Sequence, residues 1–159
     1  MPHNRFITLE GGEGAGKSTQ IRLLAARLEA AGHVVTVTRE PGGAPGAEAI
    51  RQLLVKGDTA RWTPKAEALL HFAAREDHLA RTIRPALRAG NWVISDRFAD
   101  STMAYQGFAQ GLGCDFINEL KEMVVGDEMP ERCVVIDATG SEASVAEAIW
   151  ASLSTRLHA

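Results

Sequence analysis

The chain has only two cysteines in 159 residues, Cys114 and Cys133. They have neither metal-ligand spacing nor the density of a disulfide scaffold, so inert thiols in a reducing, intracellular setting are expected. It has no apolar run long enough to span a bilayer, and Met1-Pro2-His3-Asn4-Arg5 leads into a strand-like segment without a signal-peptide pattern. A cytoplasmic location and no membrane partner are therefore expected. An excess of positive charge is also missing: 17 Lys and Arg stand against 20 Asp and Glu, a net charge of -3. That balance excludes a surface coating nucleic acid and confines phosphate binding to a few local cations. No internal repeat or low-complexity tract occurs, which excludes solenoids and disordered linkers. What remains, with 45% apolar residues, is one compact domain over 1–159 with a single core.

Phe6-Ile7-Thr8-Leu9-Glu10 is a short β-prone run that ends in glycines, and Ile21, Leu24, Ala25 and Leu28 then recur at helical spacing until Gly32. His33 to Arg39 predicts a second strand, stopped by Glu40-Pro41-Gly42-Gly43, and a helix is expected next over 47–54. Thr63 can cap a long helix with Pro64 at its first position and Leu69, Leu70, Phe72 and Ala73 on its apolar side; Pro85 predicts a kink and Gly90 an end. Trp92-Val93-Ile94-Ser95-Asp96 reads as a buried strand, and Cys133-Val134-Val135-Ile136-Asp137 as the last one. Helices are expected over 101–106, 115–125 and 142–157, with Ser141 as a cap. Alternating strands and helices imply an α/β fold with a parallel sheet, helices on both faces, and ligand sites at the strands' carboxyl ends.

Gly11-Gly12-Glu13-Gly14-Ala15-Gly16-Lys17-Ser18 satisfies the full G-x-x-x-x-G-K-[ST] pattern between a strand and a helix, followed by Thr19. This is a P-loop. Its glycines let successive backbone N–H groups surround phosphate oxygens at a helix N-terminus. Lys17 would meet the β- and γ-phosphates of ATP and the Ser18 hydroxyl would bind Mg²⁺. Asp96, closing an apolar strand, is placed to hold Mg²⁺ through water or to orient the acceptor.

The P-loop alone leaves kinase, ATPase and GTPase open. Phe72 and Arg75 are three apart on one helix, an aromatic surface beside a forked donor that a nucleobase could use; the same pair also reads as a core Phe with a solvated Arg. Arg97 follows Asp96 and can bridge phosphates, or make a surface ion pair. Ser101 and Tyr105 are four apart, with Gln106 next, offering hydroxyl, phenol and amide to one rim. Glu13 is an acid inside an anion-binding loop and needs a sugar hydroxyl, Mg²⁺ or an outward direction. Arg39 and Arg51, with Pro41 between them in the chain, are acceptor-phosphate candidates that read equally as surface charges. Ala138 and Thr139, after Asp137 at a strand end, could read adenine through backbone groups. An N-K-x-D guanine motif is missing, which argues against a GTPase.

Taken in order, the P-loop, Thr38-Arg39-Glu40-Pro41-Gly42-Gly43, Phe72-Ala73-Ala74-Arg75, Asp96-Arg97, Ser101 to Gly107 and Val135-Ile136-Asp137-Ala138-Thr139 resemble the bacterial thymidylate kinases over nearly the whole chain. The resemblance implies a three-layer P-loop NTPase sandwich, transfer of the ATP γ-phosphoryl group to dTMP, Mg²⁺, and a homodimer. It further implies that Phe72 stacks on thymine, Arg75 bonds a base carbonyl and Arg97 binds the acceptor phosphate. Ser101 and Gln106 would border the base, Tyr105 would exclude a ribose 2′-hydroxyl, and Glu13 would reach the acceptor 3′-hydroxyl. Lys17, Arg97 and Asp96 would carry the chemistry.

The chain departs from that family after Gly126-Asp127-Glu128-Met129-Pro130, where Glu131-Arg132-Cys133 comes at once in place of a fourth strand, a helix and a basic lid. Either residues of the full protein are omitted near 129–132, or Cys133 to Asp137 moves inward to pair with the first strand; omission is the expectation, because an unpaired sheet edge is costly to bury and invites aggregation when exposed. Rival readings are a kinase for another monophosphate and a nucleotide binder without turnover.

Overall fold

The computed structural model describes residues 5–58, 61–130 and 134–154. In chain order the elements are β1 (Phe6–Leu9), α1 (Lys17–Ala30), β2 (Val35–Arg39), α2 (Pro45–Val55) and α3 (Pro64–His78). Next come a π-helical segment Leu79–Ile83, α4 (Arg84–Arg88), β3 (Trp92–Asp96), α5 (Ala99–Thr102), a second π-helical segment Met103–Ala109, α6 (Cys114–Val124) and α7 (Glu142–Ser154). The strands form a parallel sheet in the order β1-β3-β2, with Phe6 opposite Val93 and Val35 opposite Trp92.

Side chains of successive strand residues point to opposite faces, and this period of two divides the core. Ile7, Leu9, Trp92 and Ile94 pack with Ile21, Leu24 and Leu28 of α1 and with Ile149, Trp150 and Leu153 of α7. Phe6 and Val93 face the other way, onto Phe72, Leu79, Ile83, Phe98, Ile117 and Leu120. Each such side chain, fully removed from water, contributes about 1.5–3 kcal/mol. Three layers result, helices on both faces of the sheet.

The long helix keeps its Thr63 cap, whose Oγ1 accepts from the Ala66 N–H at 3.3 Å. The expected disturbance at Pro85 takes the form of the π-helical turn just before it, because proline cannot donate to the carbonyl four residues back and crowds it. A second wide turn carries Tyr105 and Gln106, where regular helix was expected over 101–106. It brings Gly107 so close to α6 that an added Cβ would lie 3.1 Å from Met103 Sδ and 3.4 Å from Ile117 Cγ1.

One expectation fails outright. Residues 134–137 of the anticipated last strand are not in the sheet, and Cys133 lies outside the described residues. Val135 is 93% exposed. Without a strand between it and β1 this segment finds no ladder to join, and it runs as irregular backbone beside the sheet edge instead of pairing inward.

Candidate active site

The three strands end in register, and the residues just past β2 and β3 are each tied to a neighbouring strand. The Arg97 N–H donates to Leu9 O at 3.0 Å and the Glu40 N–H to Asp96 O at 2.9 Å. Glu10, Glu40 and Asp96–Arg97 are thereby gathered at the carboxyl edge of the sheet. Arg97 has φ 69°, the left-handed region that costs a non-glycine residue about 1–3 kcal/mol. Ser95 Oγ donates to Arg97 O at 2.8 Å and holds that turn.

After β1 the chain turns through Gly11, Gly14 and Gly16, at φ 145°, 76° and 81°. Gly16 caps α1 without any side-chain bond, and no acid lies in the first turn. The first amides are therefore open to an anion. Lys17 Nζ donates to Gly11 O at 3.0 Å and Gly12 O at 2.8 Å, folded over the loop it belongs to.

The largest set of anticipated residues lines a cleft of about 680 Å³, walled by Glu13, Pro41, Arg75, Arg97, Ser101, Tyr105 and Gln106. That is room for a mononucleotide. Arg97 Nη1 donates to Ser101 Oγ at 3.2 Å, and the Ser101 hydroxyl in turn donates to Glu10 Oε2. The Arg97 guanidinium also lies 5.4 Å from the Tyr105 ring centre. Burial pushes the Glu10 carboxyl above the usual range, with nearby Asp100 adding to it and the Ser101 bond opposing it.

Arg75 is only 2% exposed and sits in a buried network. Its Nε donates to Glu40 Oε2 at 2.8 Å, and its Nη2 to Phe98 O and Thr102 Oγ1 at 3.1 and 3.0 Å. His78 Nδ1 lies 3.0 Å from the other Glu40 oxygen, and its Nε2 2.7 Å from Thr38 Oγ1. A carboxylate only accepts, so His78 Nδ1 carries a proton. Arg75 Nη1 is buried with no partner among the described residues, although Arg75 lines the cleft. A buried, unmatched guanidinium donor is costly unless a ligand meets it.

Phe72 does not reach this cleft. It is 2% exposed in the core, and the Arg75 guanidinium stacks 4.7 Å above its ring. The reason is helical geometry: residues four apart stay on one stripe, so it is Glu67, His71 and Arg75 that share the cleft-facing side of α3. His71 is the ring presented where Phe72 was expected. Burial, and next the positive charge of Arg75, push its pKa down to about 4, so the imidazole is neutral near pH 7. Counting from Arg75 by four would have found His71 and Glu67.

The other anticipated residues are dispersed. Lys17, Gly11, Ala15 and Ala138 line a separate cleft of about 340 Å³ along the outer side of β1, with Glu10, Pro130, Val134 and Ile136. Ser18, Arg39 and Asp96 line a third, beside β2. Arg39 Nη2 donates to Glu48 at 2.9 Å, and Arg51 Nη1 to Pro41 O at 2.8 Å, so Arg51 buttresses the cleft wall from behind. Gly12, Gly14, Gly16 and Thr19 line none of these clefts. Thr139 is turned back on Asp137, donating from its N–H and Oγ1 to Oδ1 at 2.9 and 2.7 Å. Glu40, Thr102, Glu67, Gln110 and Glu10 were not anticipated. All but Glu10 line the 680 Å³ cleft, and Glu10 touches it through Ser101.

A family profile described as thymidylate kinase matches residues 9–146. A protein of Rhizorhabdus wittichii named thymidylate kinase is 56% identical over 148 residues, covering 93% of this chain and 71% of the relative. One of Caulobacter vibrioides with the same name is 58% identical over 137 residues, covering 86% of this chain and 66% of the relative. The chain thus spans about two thirds of these relatives' length. The crystal structure of thymidylate kinase from Ehrlichia chaffeensis superposes with a TM-score of 0.74 at 36% identity, over 96% of this chain and 88% of that one.

Proposed function

The chain belongs to the thymidylate kinase family, whose members transfer a phosphoryl group from ATP to dTMP, and from that premise we propose that this polypeptide binds ATP at its P-loop, takes dTMP in the 680 Å³ cleft and forms dTDP and ADP. The observation that carries the reading is that cleft, whose lining brings together the P-loop acid Glu13, Arg97, and Arg75 with its unmatched Nη1. The remaining expectations, a single kinase domain over 1–159 interrupted near 129–132, a cytoplasmic location, a homodimer and no nucleic-acid partner, are part of the same proposal. Among the described residues no helix is long and apolar enough to cross a membrane.

The chemistry is an in-line displacement. An oxygen of the dTMP phosphate attacks the ATP γ-phosphorus, the bond to the β–γ bridging oxygen breaks, and ADP leaves with that electron pair. The attacking oxygen is already anionic near neutral pH, so no base has to remove a proton, and positioning with cations does the catalysis. Lys17 Nζ exchanges its two loop carbonyls for β- and γ-phosphate oxygens. Arg97, held through Ser101 and Glu10, offsets charge as the two polyanions approach. The His71 ring and Arg75 Nη1 receive the base, which the neutral imidazole does not charge.

Mg²⁺ fits the residues present. Asp96 Oδ1 and Glu10 Oε1 are buried without a partner among the described residues, two hard oxygens beside the start of the P-loop helix. Ser18 and Asp96 would hold the ion, with Glu10 next to them. When bound, it supplies neutralisation of the charge that develops on the transferring phosphates.

A second reading, nucleotide binding without turnover, is favoured by the β1 side, where among the described residues no strand covers the sheet edge. The deciding experiment is chromatographic detection of dTDP and ADP from saturating ATP, Mg²⁺ and dTMP, with parallel calorimetric titration of each nucleotide. Binding with no product favours the second reading; no binding of dTMP refutes the first, and no binding of either nucleotide refutes both. Intact mass and sedimentation of the protein test the interruption and the dimer.

A further inference from the structure

Gln106 is 4% exposed on the wall of the acceptor cleft. Its Nε2 donates to Glu67 Oε1 at 2.7 Å, and Gln110 Nε2 donates to the same carboxylate at 3.2 and 3.3 Å. Glu67 comes from the first turn of α3, and the two glutamines from the wide turn Met103–Ala109 and the residue just past it. A carboxylate offers only lone pairs, so an amide that meets it must turn its NH₂ toward it. The reverse orientation would press two oxygens together where water has little access, which is costly. Gln106 is therefore oriented by chemistry: one N–H of its amide is taken by Glu67, and Oε1, an acceptor, is turned away from that carboxylate and left for a ligand.

Another uncommitted group, on a residue that lines the same cleft, is Arg75 Nη1, a donor without a partner among the described residues. One acceptor and one donor on the same cleft match an imide edge, the N3–H and adjacent carbonyl of thymine or uracil. Cytosine presents a lone pair at N3 and an amino group beside it, so both contacts would be reversed. We propose that Glu67 is a positioning residue for base selection: by fixing the amide of Gln106 with its oxygen toward the cleft, it makes the site select an N3–H pyrimidine and reject cytosine. The inference rests on the reading of this cleft as the monophosphate site and adds what sets its base preference.

The test is calorimetric titration of the whole chain with dTMP and with dCMP, for the wild type, for Glu67→Gln, and for the double variant Glu67→Gln with Gln106→Glu. The wild type should prefer dTMP; if it shows no preference, the reading of the cleft itself fails. In Glu67→Gln the two facing amides can pair either way round. The dTMP affinity should then fall by on the order of tenfold, with the dTMP-to-dCMP ratio narrowing by at least as much. A ratio within about twofold of the wild type would overturn the role of Glu67 while leaving the cleft reading intact. The double variant restores a pure acceptor at position 106, now met by the new amide at 67, so the dTMP preference should return. This arm also decides the matter if the single variant melts early. A double variant that binds dTMP without regaining the preference overturns the proposal, since a merely structural Glu67 would not move the ratio at all.

Discussion

The two sides of the P-loop are built to different standards. On the proposed acceptor side, Glu40, Arg75, His78 and Thr102 come from three parts of the chain and, together with Thr38 and the Phe98 carbonyl, make at least five hydrogen bonds below 3.2 Å. The geometry there is over-determined, and Arg75, which lines a ligand-sized space, keeps Nη1 without a partner among the described residues. On the β1 side, the wall opposite the strand is the irregular backbone of residues 134–138, with Val134 48% and Val135 93% exposed. Buried charge is tolerable only when each polar group is matched, so the acceptor half must be rigid. The β1 half carries no such demand and shows a sheet edge without a strand neighbour. Under the proposed function, the dTMP side is thus the tightly matched one and the fold beside the P-loop's other flank is open.

Breaking the comparison hardest is Glu40→Ala. It leaves Arg75 and His78 buried without their shared acceptor, and a loss of about 3–5 kcal/mol in unfolding free energy is expected by chemical denaturation. A loss below about 1 kcal/mol would mean that the network is not what holds this wall. Next comes Lys17→Ala, on the loop between the two halves. It should reduce dTDP formation by about 10²–10³-fold, measured at saturating ATP, with an unchanged melting temperature, because Lys17 bonds only exposed loop carbonyls in the free protein.

The His71 prediction sharpens the comparison through pH. The folded-state pKa of about 4 lies below the ordinary 6.5, so the unfolded chain binds the proton more readily. Above about pH 6.5 the group costs nothing; as pH falls from there toward 4, stability is lost, by about 1–3 kcal/mol in all. His71→Phe should remove that part of the acid slope while keeping a ring for the base, and His71→Ala should weaken dTMP binding by roughly tenfold. An acid slope identical in wild type and His71→Phe would refute the assignment. The smallest effect is expected on the β1 side: Val135→Ser, at a site 93% exposed, should change stability by less than about 0.5 kcal/mol.

The P-loop was legible because its function lies in local backbone: glycines in the left-handed region and a helix start need no distant partner. β1, α1, β2 and β3 were readable for a similar reason, since period-two and helical apolar patterns state which face is buried. The place of Phe72 in the core was not legible, because two neighbouring aromatic-capable positions on α3 differ by about 100° around the helix axis, and composition does not say which stripe meets the sheet and which meets the cleft. The strand expected at residues 133–137 has the right residues, yet a strand exists only with a neighbour to pair with. Lys17 and Ser18, adjacent in the P-loop, open onto different clefts, a separation no motif encodes.

From its residues alone this protein was determined to be an α/β chain with a phosphate-binding loop after its first strand, because those properties depend on neighbours a few positions away. Tertiary structure alone decided that His71 and not Phe72 lines the 680 Å³ cleft, that Glu67 grips Gln106 from 39 residues away, and that Arg75 keeps one donor unspent among the described residues. Those facts depend on which helix stripe is turned inward and on which buried groups find partners, and both are fixed only when distant segments pack together.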